Sequence, residues 1–448
     1  MTEVEEEATP EAAVKFCYNA VLRRQPTTPE LDYFVHQISL GMSHLGVVEV
    51  LWSSEEFRNF SGVSLFVPPG RYPYLFSISH HTQGAVGATS IIETVPELSE
   101  DGLSRARRLL RSYEETKANL GHGRAAEKDD LWTGLIVGQL QPMVDALESG
   151  SEEIVADFLR LFGGEYMWFG GISTGRDGLN HWDLNETQIA HTYIDQLVSF
   201  AEALDCLPVE NPSLGLRGRW GQNIAYDADY LVGLVENKLG IRLLPPFGSM
   251  TVAGIPTARG PLHYRHVNAC YAAARIRDIV EKPTAVCEYG GGMGLVAYYL
   301  WQFGFRDITL LDIPLTNILS ANFLMDALGP ENVSLEGEAA RPDQVKIRSS
   351  ALASRWTEGR TYGISVNQDS FPEIAMPIVE GFFDVIARTT EGYFFSINQE
   401  GQTKIQDDID HLDVPRILEP RVHKYRRLFR YPNWIRRGYV DELYEIVR

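Results

Sequence analysis

Residues 284–294 read Thr-Ala-Val-Cys-Glu-Tyr-Gly-Gly-Gly-Met-Gly, and Asp307-Ile-Thr-Leu-Leu-Asp312 follows one helix-length later. No other feature constrains the fold as tightly. The run Thr284-Ala-Val-Cys287 is apolar and β-prone, as a strand buried on both faces must be. It leads into Glu288-x-Gly290-x-Gly292-x-Gly294, where missing Cβ atoms let the backbone turn tightly and let a ligand come close. Residues 295–303 suit a helix, so the loop feeds a helix N-terminus. Asp312 then ends a second strand, where a carboxylate can accept hydrogen bonds from ribose hydroxyls.

The glycine spacing is GxGxG, with Leu295 where a dinucleotide-binding GxGxxG wants glycine. Glu288 ends the strand two residues before the first glycine, and Asp312 comes at the right distance. This constellation resembles motif I of class I S-adenosylmethionine-dependent methyltransferases. The resemblance implies a loop passing under the methionine moiety and an acid, Asp312, on the adenosine ribose. It makes Glu288, Gly290, Gly292, Gly294, Asp312 and Asn367 the cofactor-binding candidates. The alternatives are a nicotinamide or nucleotide-sugar site, or a glycine-rich turn in some other βα unit.

With 448 residues the chain can hold two or three domains. Its 44% hydrophobic and 22% charged residues are those of an ordinary globular protein. No apolar 18-mer reads as a membrane span, and the acidic start Met1-Thr-Glu-Val-Glu-Glu-Glu7 lacks the form of a signal peptide. Cys17, Cys206, Cys270 and Cys287 form no CxxC pair, which disfavours a disulfide framework or structural zinc and fits a reducing cytoplasm. A net charge of −20 repels nucleic-acid phosphates. Arg421, Lys424, Arg426, Arg427, Arg430, Arg436 and Arg437 form one basic run. It reads as a solvated helix and loop, or as a grip on a phosphorylated or nucleotide-linked substrate.

The expected organisation is a disordered acidic tail over 1–10, a small helical unit over 11–62, a connector over 63–100, a helical substrate-side cap over 101–262 and an α/β domain over 263–448. In the helical unit, Val14, Cys17, Tyr18, Val21 and Leu22 recur at helical spacing, and Thr27-Thr-Pro-Glu30 offers a cap with proline after it. The phrases Leu22-Arg-Arg-Gln-Pro-Thr-Thr-Pro-Glu-Leu31 and Ser53-Ser-Glu-Glu-Phe57 resemble a short bacterial helical domain related to phycobilisome linkers. That resemblance implies an interaction role with a protein partner; an ordinary three-helix subdomain is the alternative. In the cap, Leu131, Leu135 and Ile136 belong to one helical stripe, and Tyr166-Met-Trp-Phe169 reads as core. In the last domain, strands are expected at 284–289, 308–313, 362–367 and 393–397. A third strand falls at 332–335 or at the rival 345–348, a helix at 372–387, and a last strand-like piece at 439–447 without a place in the sheet.

Methyl transfer to a hydroxyl needs alignment and removal of a proton, and in a doubly wound sheet the acceptor sits beyond the strand C-termini. The fourth strand ends in Val366-Asn-Gln-Asp-Ser-Phe-Pro-Glu373. Asp369 and Glu373 there are candidates for a base, or for ligands of a divalent cation such as magnesium that would acidify the hydroxyl. Helix capping by Asp369 or Ser370 is the competing reading. His263 and His266, spaced i and i+3 at a helix start, are alternative bases. His80, His81, His181, His411 and His423 are less well placed.

Asn367-Gln-Asp-Ser-Phe-Pro-Glu373, Phe394-Phe-Ser-Ile-Asn-Gln-Glu400, Gly260-Pro-Leu-His-Tyr-Arg-His-Val-Asn268 and Trp434-x-x-x-Gly438-Tyr-Val-Asp-Glu-Leu-Tyr444 together resemble bacterial sugar O-methyltransferases over roughly residues 130–448. The expected fold class is then α/β, a Rossmann-like class I methyltransferase domain at the C-terminus with an all-α N-terminal region. The implied activity is S-adenosylmethionine-dependent O-methylation of a sugar hydroxyl on a glycan, glycolipid or glycosylated metabolite. A polyketide or phenol acceptor, or a scaffold carrying a relic Rossmann domain, are the alternatives. Homo-oligomerisation is left open.

Overall fold

The computed structural model describes residues 9–22, 24–52, 54, 56, 91–95, 97–120, 140–162, 186–209, 226–246, 253–400, 404–406, 409–436 and 438–448. The acidic tail over 1–8, the connector over 63–90, the 131–136 stripe, Tyr166–Phe169, His80, His81, His181 and Arg437 lie outside them. The chain divides into two compact units, Met1–Arg71 and Tyr72–Arg448.

The first unit holds α1 (Pro10–Leu22), α2 (Thr28–Ser39) and α3 (His44–Trp52). Its core is Val14, Cys17, Tyr18, Val21, Leu22, Phe34, Val47 and Leu51. Thr27 and Glu30 form a reciprocal capping box at the start of α2, with Pro29 in its first turn. Arg24 ties the Glu30 carboxylate to Glu56.

The second unit begins with β1 (Ile92–Glu93), then α4 (Glu100–Leu120), α5 (Gln141–Glu148), α6 (Glu152–Leu161), α7 (Glu186–Ala203) and α8 (Ala228–Leu239). Next come β2 (Ala253–Thr257), β3 (Gly260–Leu262) and α9 (Tyr264–Val280). Strands β1, β2 and β3 form a small antiparallel sheet. The α/β part runs β4 (Val286–Tyr289), α10 (Leu295–Gln302), β5 (Ile308–Asp312), α11 (Pro314–Leu328), β6 (Val333–Ser334), β7 (Val345–Ser349) and α12 (Ala353–Trp356). It continues with β8 (Tyr362–Gln368), α13 (Met376–Thr389), β9 (Thr390–Gln399), the hairpin β10 (Lys404–Gln406) and β11 (Ile409–Asp410), α14 (Val414–Leu418), β12 (Tyr425–Pro432) and β13 (Tyr439–Ile446).

Eight strands form one sheet in the order β12-β13-β9-β8-β4-β5-β7-β6. The six strands from β9 to β6 are parallel to their neighbours. Strand β13 runs antiparallel to both β9 and β12. This is a mixed α/β, Rossmann-like sheet, preceded in the chain by a mainly helical region. All four residues of β4 are buried, as the apolar run requires. The helical region shares its core: Leu109, Leu197 and Leu231 belong to one apolar cluster with Val286 and Leu310. Polar anchors reinforce this, since Arg108 on α4 meets Glu338 at 2.6 Å and Arg105 meets Asp326 at 2.8 Å.

Three expectations change. The rival third strands coexist, β7 beside β5 and β6 at the edge. The basic run is no solvated helix: 425–432 is the edge strand β12. Its arginines pair with acids, Arg427 with Glu442 at 3.0 Å, Arg430 with Glu400, and Arg426 with Glu445. Charges on an edge strand also discourage pairing with foreign strands. Finally, the helix expected from 372 starts at Met376, because Phe371–Glu373 form a separate single turn.

Candidate functional site

Strand β4 pairs with β5 on one side and β8 on the other, so chain connections leave it in opposite directions. A crevice opens at such a switch point beyond the carboxyl ends of the strands, and the glycine loop lies there. Gly290, Gly292 and Gly294 have φ of +72°, +55° and +78°, which side chains with a Cβ rarely adopt. A Cβ on Gly290 would stand 1.9 Å from Ser370 Oγ, so the loop rests against the tip of β8. A Cβ on Gly294 would stand 2.7 Å from Leu324 Cδ1, so α10 seats closely on α11. At Gly292 the same position meets nothing within 4 Å, and this face of the loop is open.

The two acids converge on that loop. Asp312 accepts hydrogen bonds from the backbone N–H of Gly292 at 2.8 Å and of Ile313 at 2.7 Å. Glu288 is 2% exposed, and its Oε2 has no hydrogen-bond partner among the described residues. Burial first, and the Asp312 charge second, push its carboxyl up to about 8. Asp312 is half-buried. Burial pushes it upward too, while the two N–H donors oppose the push and its contact with solvent blunts it.

Asn367, fully buried at the end of β8, donates to Tyr289 O at 2.7 Å and Ser370 Oγ at 2.6 Å. Its Oδ1 accepts from Asn398 Nδ2 at 2.9 Å. The side chain thus stitches together the ends of β4, β8 and β9, and its polar atoms face protein. Asp369 takes φ +69°. Its N–H donates to Ile397 O at 3.0 Å, and both carboxylate oxygens receive Arg436 Nη1 at 2.8 Å. Ser370 is the N-cap residue of the following turn but makes no side-chain capping hydrogen bond there, and the Asp369 carboxylate is turned to Arg436. Arg436 is 7% exposed and lies 3.5 Å above the Tyr439 ring centroid. Glu373 sits in the same electrostatic cluster and is half-buried. Burial and then the Asp369 charge push it up to about 8, with Arg265 and Arg436 pulling the other way.

The two histidines have separate environments. His263 precedes the first helical residue and is the N-cap of α9, with Nδ1 accepting from Arg265 N–H at 3.2 Å. Its ring lies against Tyr193 and Tyr264, centroids 5.3 and 4.6 Å away. His266 is completely buried, and burial holds its pKa down to about 3. Its Nδ1 is 3.0 Å from Tyr299 Oη, whose proton goes to Leu243 O, so the imidazole must be the donor.

The donors do not fit a divalent cation. Both Asp369 oxygens face Arg436, and among the described residues no cluster of three or more His, Cys, Asp or Glu could hold a metal ion. Sequence reasoning missed Arg265, Arg436 and Tyr439 as site residues. Arg436 stood only as one member of the basic run, and nothing local ties it to Asp369, 67 positions away. Among the described residues no helix is long and apolar enough to cross a membrane.

No protein-family model matches the chain, and no curated protein does. Among solved structures it is similar to the glycopeptide N-methyltransferase MtfA complexed with S-adenosyl-L-homocysteine, with 13% identity, 40% of this chain and 90% of that one covered, and a TM-score of 0.32. It is also similar to TehB from Haemophilus influenzae, with 16% identity, coverage of 39% and 62%, and a TM-score of 0.30. A third is magnesium protoporphyrin IX methyltransferase (ChlM) from Synechocystis PCC 6803 with bound SAM, with 14% identity, coverage of 41% and 81%, and a TM-score of 0.30. Likeness at this level carries no residue role, cofactor or substrate over to this chain.

Proposed function

We propose that the protein is an S-adenosylmethionine-dependent methyltransferase acting on a sugar hydroxyl. The observation that carries the reading is the open loop face at Gly292, at the sheet's switch point, with Asp312 fixed on the loop and the buried Glu288 Oε2 without a hydrogen-bond partner among the described residues. A cationic ligand suits two acids held together in a buried place, and an acid-free phosphate cradle would suit a pyrophosphate better. Glu288, Gly290, Gly292, Gly294 and Asp312 would hold the cofactor. S-adenosylmethionine, when bound, supplies a methyl group on a sulfonium, so the protein has to present an oxygen in line and take its proton. Asn367 serves by fixing the strand ends rather than by touching the ligand.

Glu373 replaces Asp369 as the leading base. A base works best with a pKa near the operating pH, and Glu373 is pushed in that direction. Asp369 instead holds Arg436, and both charges act on Glu373 in opposite directions. His266, neutral and enclosed, is assigned to the core, and His263 to capping and stacking.

A polyhydroxyl acceptor fits the hydrogen-bonding groups at this end of the sheet. Gln368 Oε1, Asn398 Oδ1 and Arg436 Nε are buried without partners among the described residues. Such groups are costly unless a ligand or water satisfies them. The second reading is a phenolic or polyketide acceptor, favoured by the aromatic group Tyr193, His263 and Tyr264. Incubation with methyl-labelled S-adenosylmethionine and a panel of glycosides and phenols separates the two. Label in a glycoside supports the first reading, label only in phenols the second, and label in neither overturns both.

A further inference from the structure

A second cleft lies at the opposite end of the sheet from the glycine loop. It has a volume of about 880 Å³ and is lined by the segment leading into β8, the junction of α13 with β9, and Arg448 just beyond β13. Four arginines, Arg355, Arg360, Arg388 and Arg448, face it against two acids, Glu358 and Glu391. This excess of positive charge stands in a chain of net charge −20.

The four guanidinium groups are not equally committed. Arg448 pairs with Glu391 at 3.0 Å, and Arg360 with Asp307 at 2.7 Å. Arg355 makes no ion pair among the described residues; it donates to the neutral Asn119 at 3.2 Å and lies 5.0 Å over the Trp356 ring. Arg388, in the last turn of α13, makes neither an ion pair nor a side-chain hydrogen bond among the described residues. Two guanidinium groups without an ion pair among the described residues therefore border one cleft, one of them orientated by stacking and by its bond to Asn119. Planar forks of this kind recognise phosphate oxygens in pairs. The volume falls in the range of about 300–1,000 Å³ typical of small-molecule sites. Long polyanions are disfavoured, since the chain's overall charge repels them.

We propose that this cleft binds a small diphosphate-bearing molecule, with Arg355 and Arg388 as the principal contacts. The site is separate from the candidate active site and does not depend on the methyl-transfer reading. Titration of the full chain with inorganic pyrophosphate at low ionic strength, followed by calorimetry, tests it. The expected result is saturable one-site binding, weakened about tenfold or more by Arg388→Ala and again by Arg355→Ala. Arg306→Ala, an arginine stacked on Trp301 outside the cleft, should leave it unchanged. Absence of saturable binding, equal binding by the parent and both cleft variants, or equal weakening by Arg306→Ala would each overturn the proposal. Arg388 is exposed, so its single variant keeps the test valid if the Arg355 variant folds poorly.

Discussion

Substituting alanine at Gly292 and at Gly294 should have opposite consequences, though the residues are two apart. Both have positive φ, so each alanine costs about 1–2 kcal/mol in backbone strain. At Gly292 that is the whole structural cost, because the added Cβ meets nothing within 4 Å. At Gly294 the Cβ would lie 2.7 Å from Leu324 Cδ1 and 3.3 Å from Ser320 Cβ. Overpacking of this kind adds ~1–3 kcal/mol, for a total of roughly 2–5 kcal/mol. Thermal unfolding should therefore fall by about 1–3 °C for Gly292→Ala and by clearly more for Gly294→Ala. Binding should rank the other way for its own reason. The Gly292 methyl enters the open face where the cofactor is proposed to lie, so affinity for S-adenosylmethionine should drop about tenfold or more in a folded protein, a loss of ~1.4 kcal/mol. Calorimetry on a variant shown to be folded reads this directly. Parent-like affinity in Gly292→Ala would refute the placement of the ligand, and equal destabilisation by the two substitutions would refute the packing argument.

Further outcomes follow from the same geometry. Glu373→Gln should lower turnover about 10²–10⁴-fold with cofactor affinity near the parent value; a parent rate would move the base elsewhere. Asp369→Asn should lower stability by ~1–3 kcal/mol in chemical denaturation, because it leaves the buried Arg436 without its counter-charge; an unchanged midpoint would show that the pair is not structural. Glu288, pushed up to about 8, keeps its proton in the folded protein over a window in which the unfolded chain has lost it. Raising the pH from about 5 to about 8 should therefore lower the stability of the ligand-free protein and raise its affinity for a cation, and Glu288→Gln should reduce both trends, leaving the part that comes from Asp312. A chain beginning at Tyr72 should keep the parent affinity for S-adenosylmethionine, since the first unit carries none of the proposed groups; loss of binding by a folded truncation would contradict this.

What could be read in advance was what local sequence controls. The apolar run of β4, the tight glycine turn and the acid closing β5 depend on neighbours in the chain, and all stand where expected. Helix α9 was equally legible, yet its histidines were not: one caps the helix and the other vanishes into the core, a difference set by tertiary packing. The edge strand β12 was missed because its arginines imitate a solvated helix, while the acids that neutralise them lie on β13 and at the end of β9. The Asp369–Arg436 pair was hidden for the same reason. A carboxylate at a strand tip looks like a base until the cation that occupies it is seen.

The most direct measurement is a calorimetric titration of the parent protein with S-adenosylmethionine and, separately, with NAD. Saturable binding of S-adenosylmethionine, weakened about 10- to 100-fold by Asp312→Ala, with no binding of NAD, is the expected result. Saturable binding of NAD without binding of S-adenosylmethionine would contradict the proposed function at its root.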